Sequence, residues 1–191
     1  ERDELKEPGG IQDHYVAAFG GLRKYEFKQS GVEVSPKLIS QDAVTYLEER
    51  QMLIWLEETR DSETHAAVTE SEIGKSNSYL KETIDLFQET SRIFSDDLTP
   101  VQTFDTIKEA VTLGWGYKKR FTSELSPIVQ SVETVLSRFS DVGYKLCGAG
   151  GSGFLLILAE PDILAQIKNT LPGYSVLYPK ISLLGSSVQS P

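Results

Sequence analysis

The residues best suited to chemistry in this chain are a glycine-dense run, Gly148-Ala149-Gly150-Gly151-Ser152-Gly153, and a carboxylate in the segment Gly9-Gly10-Ile11-Gln12-Asp13-His14-Tyr15. Four glycines in six positions leave backbone amides without Cβ cover, so an anionic or hydroxyl-bearing ligand can approach the main chain closely. The run matches G-x-G-x-x-G, but a dinucleotide site needs a helix opening directly after the loop and an acidic residue about 20 positions further on. Here Phe154-Leu155-Leu156-Ile157-Leu158 follows, which reads as strand, and Asp162 falls too early. No Lys-Ser or Lys-Thr follows the glycines, which excludes a phosphate loop, and Phe154 stands where a nucleophile elbow on Ser152 would need glycine. The run is therefore ligand-facing backbone or a plain tight turn. Asp13 is either a carboxylate that orients or deprotonates a substrate hydroxyl, or a first-turn acid favoured by the helix dipole. Its neighbour His14 points about 100° away on a helix, a poor arrangement for a dyad. His14, His65 and Cys147 are isolated from one another, so no zinc spacing exists.

Composition narrows the classes. The 191 residues carry 28 acidic against 19 basic side chains, a formal net charge of −9, which opposes non-specific attraction to nucleic acid or an anionic membrane. A single cysteine excludes an intramolecular disulfide and fits a reducing compartment, so a cytoplasmic protein is expected. No apolar run approaches the roughly 18 residues of a membrane span. The chain opens on Glu1-Arg2-Asp3-Glu4 and its one Met is Met52, the expected look of a piece of a longer protein.

The elements that must position these residues follow from periodicity. A small helix lies between the glycine pairs of residues 9 to 21, then a hairpin turns at Gly31. Ser40 is the N-cap of a helix through Arg50, and Met52 to Leu56 form a strand. Helical stripes follow at Leu80, Ile84 and Phe87, at Val101, Phe104, Ile107, Val111 and Trp115, and from Leu125 to Phe139, each predicting one buried side. Tyr144 to Cys147 and Phe154 to Leu158 read as adjacent strands about the glycine turn. Pro161 opens a helix that Pro172-Gly173 closes before a strand from Tyr174 to Tyr178. The order predicts an α+β fold, a split β-α-β layout with extra helices on one face of a mostly antiparallel sheet. The tail from Gly185 to Pro191 is compositionally biased and carries no further expectation.

Lys145-Leu146-Cys147-Gly148-Ala149-Gly150-Gly151-Ser152-Gly153-Phe154 resembles the third conserved motif of the GHMP small-molecule kinases, the superfamily of galactokinase, homoserine kinase and mevalonate kinase. Within it the run is most similar to the heptose kinases, K-L-L-G-A-G-G-G-G-F, with Cys147 and Ser152 as departures. Gly10 to Tyr15 is similar to the G-x-Q-D-Q-Y segment carrying that family's catalytic aspartate, with His14 in place of Gln. Ala17-Ala18-Phe19-Gly20-Gly21 continues the likeness. Trp115-Gly116-Tyr117-Lys118-Lys119-Arg120 resembles a W-x-x-K-K-x helix of the heptose branch. The family's P-x-x-x-G-L-G-S-S-A phosphate loop and its N-terminal substrate motif have no counterpart.

The resemblance implies ATP-dependent phosphorylation of a sugar or sugar-phosphate hydroxyl, with heptose-type substrates favoured and Mg²⁺ carried by the nucleotide phosphates and held mainly by parts of the family pattern that this chain lacks. Asp13 would be catalytic. Gly10, Gln12, Tyr15, Gly148, Ala149, Gly150, Gly151 and Ser152 would face the substrate, while Lys118, Lys119 and Arg120 read as a solvated basic run, with contact to a phosphorylated sugar as the alternative. Residues 1–37 would be the last strip of the family's N-terminal catalytic domain, which is ribosomal S5 domain 2-like, and residues 38–191 its ferredoxin-like C-terminal domain. By itself such a piece is expected to be inactive, and to self-associate, as a homodimer for example, through apolar surface at Ile11, Val16 and Phe19. The rival expectation from architecture alone is a non-catalytic ferredoxin-like binding or interaction domain.

Overall fold

The computed structural model describes residues 11–36, 39–56, 77–94, 97–121, 125–148 and 153–187. Along the chain come α1 (Gln12–Phe19), β1 (Tyr25–Lys28), β2 (Gly31–Val34), α2 (Gln41–Glu48), β3 (Gln51–Trp55) and α3 (Asn77–Ile93). They are followed by α4 (Pro100–Phe121), α5 (Pro127–Leu136), β4 (Gly143–Leu146), β5 (Phe154–Leu158), α6 (Pro161–Thr170) and β6 (Ser175–Leu177). Local chemistry sets several of these boundaries. Ser40 Oγ accepts from the Ala43 amide at 3.2 Å and caps α2, and Ser126 caps α5 in the same way ahead of Pro127. Pro127 and Pro161 both stand where a helix has no use for an N–H.

Two sheets form. β1 and β2 make a hairpin whose turn at Gly31 adopts φ 137°, open only to glycine at low cost. The larger sheet has the order β4-β5-β3-β6 with every neighbouring pair antiparallel. β3 and β4 consequently run parallel to each other with β5 between them, and Leu53 to Trp55 pair with Ser175 to Leu177 on the other side.

The central strand β5 corrects the one-face expectation. Leu155 and Ile157 pack with Met52, Ile54, Val129, Val132 and Ile167, the cluster that α5 and α6 cover. The alternate residues Leu156 and Leu158 pack with Leu47 of α2 and with Phe104, Ile107 and Val111 of α4. The sheet is thus covered on both faces, which is why β5 is apolar at all five positions instead of alternating. α4 lies tight against β4: a Cβ on Gly143 would come 2.6 Å from Lys108 Cγ and 2.9 Å from the Lys108 carbonyl oxygen. Two helical stripes are also less buried than their periodicity predicts. Val101 is exposed at the start of α4, whereas Phe104 and Trp115 are buried; Ile84 and Phe87 of α3 are exposed too. An amphipathic period states which side can be buried, and only the neighbours decide how far it is.

A strap closes the chain on itself. After β6, Gln51 Nε2 donates to the Pro179 carbonyl at 3.0 Å. Glu48 then accepts from the Ile181 amide at 2.7 Å and from Lys180 Nζ at 2.8 Å. The hydrogen bond from Lys180 chiefly, then that from the Ile181 amide, hold the Glu48 carboxyl below its ordinary value. A depressed carboxyl pKa contributes stability that is complete above the unfolded value, about 4.3, and is lost as pH falls through the lower folded one. Hydrogen exchange at the Ile181 amide is therefore expected to quicken, relative to core amides of β5, as the pH is lowered below about 4, and in a Glu48→Gln chain to lose that pH dependence. Exchange that keeps the same ratio through this range would assign the contact no energetic role.

Candidate functional site

Asp13 sits in the first turn of α1 and is exposed. No side-chain cap satisfies this helix end, whose N-cap residue is Ile11, so the helix-terminal role proposed for Asp13 from sequence is physically available beside the chemical one. Gln12 is exposed and Tyr15 half-buried. The Tyr15 ring belongs to an aromatic cluster: it stacks on Phe19 at 6.3 Å and meets Phe27 edge-on at 5.7 Å and Tyr25 at 6.4 Å. These contacts fasten α1 onto the β1–β2 hairpin. Ile11, Val16 and Phe19 are each about two-fifths to half exposed, as the sequence led us to expect of this helix.

The strap reaches α1 as well. Gly20 ends the helix at φ 62°, and the Gly21 amide donates to the Ser182 carbonyl at 2.7 Å. The amide and hydroxyl of Ser186 both donate to the Ala17 carbonyl, at 3.0 and 3.1 Å. A Cβ on Gly20 would come 2.6 Å from the Leu184 carbonyl oxygen, and one on Gly185 would overlap the Ala18 carbonyl. Backbone lies directly on backbone here, and only glycine permits it. The helix bearing Asp13 is thus held from one side by aromatic rings and from the other by residues 182–186.

At the glycine turn, β4 and β5 are adjacent and antiparallel from Gly143↔Leu158 to Leu146↔Leu155, and the Cys147 amide donates to the Phe154 carbonyl at 2.8 Å. Phe154 to Leu158 is strand, which removes the dinucleotide reading. Gly148 and Gly153 take φ 76° and 110°, and a Cβ at either would meet nothing within 4 Å. Glycine is therefore demanded here by backbone conformation and not by crowding. Gly10 and the middle of the turn, Ala149, Gly150, Gly151 and Ser152, lie outside the described residues, as does His65. Among the described residues no three His, Cys, Asp or Glu side chains converge to hold a metal ion.

The three cations of the basic run part company. Lys118 Nζ donates to the Gly148 carbonyl at 2.8 Å. Lys119 Nζ reaches Glu133 of α5 at 2.9 Å, and Arg120 pairs with Glu82 of α3. The run is not one solvated face, because successive helical residues point about 100° apart. Glu133 also accepts from Trp115 Nε1 at 2.7 Å. Burial first, and then the charge of Glu133 and a hydrogen bond to it, push the Tyr144 phenol above its ordinary value. Burial pushes the Lys118 ammonium down, and the like charge of Lys145 adds to that.

Lys118 belongs to a feature that sequence reasoning missed. A cleft of about 530 Å³ opens between α3 and α4, beneath Leu22, Arg23 and Lys24 at the end of the α1 segment. α3 contributes Thr83, Phe87 and Thr90, spaced by three or four residues along one face, and Phe94 follows just after its end. α4 contributes Ile107, Val111, Trp115 and Lys118 at the same spacing, and Lys145 enters from β4. The cleft unites the segment that follows Asp13 with the cation that touches the glycine turn. The helical period at 107, 111 and 115 was readable in advance, but it took the fold to bring Lys118, Lys145 and Arg23 to the same cleft.

No family model matches the chain. A curated relative, the D-glycero-alpha-D-manno-heptose 7-phosphate kinase of Campylobacter jejuni, is 27% identical over 84% of this chain and 47% of its own length. Among solved structures, a D-glycero-D-manno-heptose 1-phosphate kinase from Bacteroides thetaiotaomicron aligns with all of this chain and 53% of its own, with a TM-score of 0.61 and 20% identity. The fold is that of the GHMP kinases. Lactococcus lactis galactokinase complexed with galactose presents the same GHMP kinase fold at a TM-score of 0.62 and 14% identity, over 97% of this chain and 57% of its own. The chain spans about half the length of the relatives it matches. At such identities the likeness to the solved structures establishes the fold alone.

Proposed function

We propose that this chain is part of a GHMP-type sugar kinase that transfers the γ-phosphoryl group of ATP to a hydroxyl of a heptose or heptose phosphate. The observation that carries the reading is the 27% identity to a heptose 7-phosphate kinase across most of the chain. The positive-φ glycine turn between β4 and β5 and the aspartate in the first turn of α1 support it. On this reading residues 1–37 end the N-terminal catalytic domain. Residues 38–191 are the ferredoxin-like domain, in keeping with the strand order β4-β5-β3-β6.

The substrate hydroxyl oxygen attacks the γ-phosphorus, the bond from that phosphorus to the bridging oxygen breaks, and ADP departs with the electron pair. The hydroxyl proton passes to the Asp13 carboxylate. Because the transition state is loose, Asp13 does as much by aligning the hydroxyl as by accepting its proton. Gly10 and Gln12 contact the sugar, and Tyr15 holds the helix in place. Gly148, Ala149, Gly150, Gly151 and Ser152 serve the substrate and the transferred phosphoryl group, where backbone donors would stabilise developing charge. Mg–ATP enters as the co-substrate, and the compartment is the cytoplasm. The test is ADP release by a protein spanning the relatives' full length, supplied with ATP and a panel of heptoses, hexoses and their monophosphates. Sugar-dependent release, highest with a heptose, is expected; no sugar-dependent release from any member would overturn the proposal.

A further inference from the structure

We propose that the strap positions the carboxylate of Asp13: Gly185 and Ser186 grip the last turn of α1 and so fix where its first turn meets the acceptor hydroxyl. This rests on the sugar-kinase reading and deepens it, because it assigns a positioning role to a tail that lies 169 residues from the turn it grips.

α1 needs outside support. It has eight residues, fewer than the roughly 12 to 15 at which an isolated helix becomes even marginally stable in water, and none of them is buried. Its first end has no side-chain cap. At its last end the Gly20 amide returns to the Val16 carbonyl, but the next amide, that of Gly21, turns away to the Ser182 carbonyl. The Ala17 carbonyl is thereby deprived of the donor four residues on that a continuing helix would supply. Ser186 replaces that donor twice, with its amide at 3.0 Å and its hydroxyl at 3.1 Å. The strap is a helix cap delivered from a remote segment.

That grip reaches Asp13 because Asp13 and Ala17 are four residues apart, one turn from each other on the same face. The strap is anchored in its turn. The Pro179 carbonyl accepts from Gln51 at the head of β3, and the Ile181 amide donates to Glu48 of α2. β3 pairs along its whole length with β5, the strand that leaves the glycine turn. A continuous chain of contacts therefore ties the Asp13 helix to the sheet that carries the turn, and in-line transfer needs the two held in one fixed relation. Gly185 makes the fit exacting. A Cβ there would overlap the Ala18 carbonyl, although Gly185 is not among the positive-φ glycines. Alanine is thus excluded by contact alone, and it must push strap and helix apart.

The test joins steady-state kinetics to hydrogen exchange on a protein spanning the relatives' full length, supplied with the sugar of highest turnover. Gly185→Ala is expected to lower kcat about 30- to 100-fold, the scale of cost for displacing a reacting group by about 1 Å, with the KM for ATP unchanged. Amides of α1 should exchange faster while those of β5 keep their rates. Ser186→Ala, which retains the amide donor, is expected to cost about three- to tenfold, and Ser186→Thr, which restores a hydroxyl, to return the kcat of the parent. In an Asp13→Asn background Gly185→Ala should lower kcat by less than about threefold further, because the group it misplaces is already gone. Three results would overturn the proposal: a Gly185→Ala kcat within about threefold of the parent, an equal loss in both backgrounds, or exchange that quickens in β5 as much as in α1. The sugar-kinase reading fails differently. A parent protein without sugar-dependent transfer removes that reading and the strap's role with it, whereas a parent that transfers and a Gly185→Ala variant of undiminished kcat remove the strap's role alone.

Discussion

Asp13→Asn is expected to lower the turnover of sugar phosphorylation in the full-length kinase by about two to four orders of magnitude, the range usual for a positioned acid or base. The affinity for ATP is expected to stay unchanged, since on the proposed reading the group acts on the acceptor hydroxyl and not on the nucleotide. Asparagine keeps the size and polarity of the side chain while removing its ability to take a proton. Asp13 is exposed and its helix end lacks a side-chain cap, so folding should change only by the first-turn charge effect, about 0.3–1 kcal/mol. Chemistry and stability are thereby separable. Turnover within a fewfold of the parent, with a stability loss of that small size, would leave Asp13 as a helix-terminal charge and nothing more.

The second large effect is structural. Glu133→Ala is expected to cost about 3 kcal/mol of unfolding free energy, because it strands several groups together. Trp115, only 3% exposed, loses the acceptor of its indole N–H. Lys119 loses its counter-charge as well. Urea unfolding of this variant should be compared with Glu82→Ala, which removes the more exposed Arg120 pair and is expected to cost no more than about 1 kcal/mol. Equal midpoints for the two variants would show that the Glu133 network carries no special weight. A Glu133 change should also reach the cleft, since Trp115 lies in its wall and Lys118 follows three residues later on α4.

Much of this architecture was readable one element at a time. Ser40, Pro127 and Pro161 mark helix starts through chemistry confined to a few residues, and the strands on either side of the glycine turn follow from runs too short and too apolar for helices. One legible signal was under-read: five consecutive apolar residues in β5 require cover on both faces, and α2 and α4 supply the second. Another was the Lys118-Lys119-Arg120 run, which helical geometry alone prevents from forming one face. The strap offered less. Gly185 and Ser186 lie in a biased tail whose composition resembles any loose terminus, and their role is visible only because the Ala17 and Ala18 carbonyls, over 160 residues away in sequence, lie beneath them.

The sequence by itself determined where the helices and strands lie, the acidic character of the chain, the glycine turn and the aspartate helix, because each depends on periodicity, capping or conformational freedom within a few neighbouring residues. Only the tertiary structure decided which cations share a cleft, that Thr83 Oγ1 lacks a hydrogen-bond partner among the described residues, and that residues 182–186 clasp the helix of Asp13. Those facts arise from contacts between segments far apart in the chain. Their geometry is set by how the sheet and helices pack as a whole, and no local pattern encodes it.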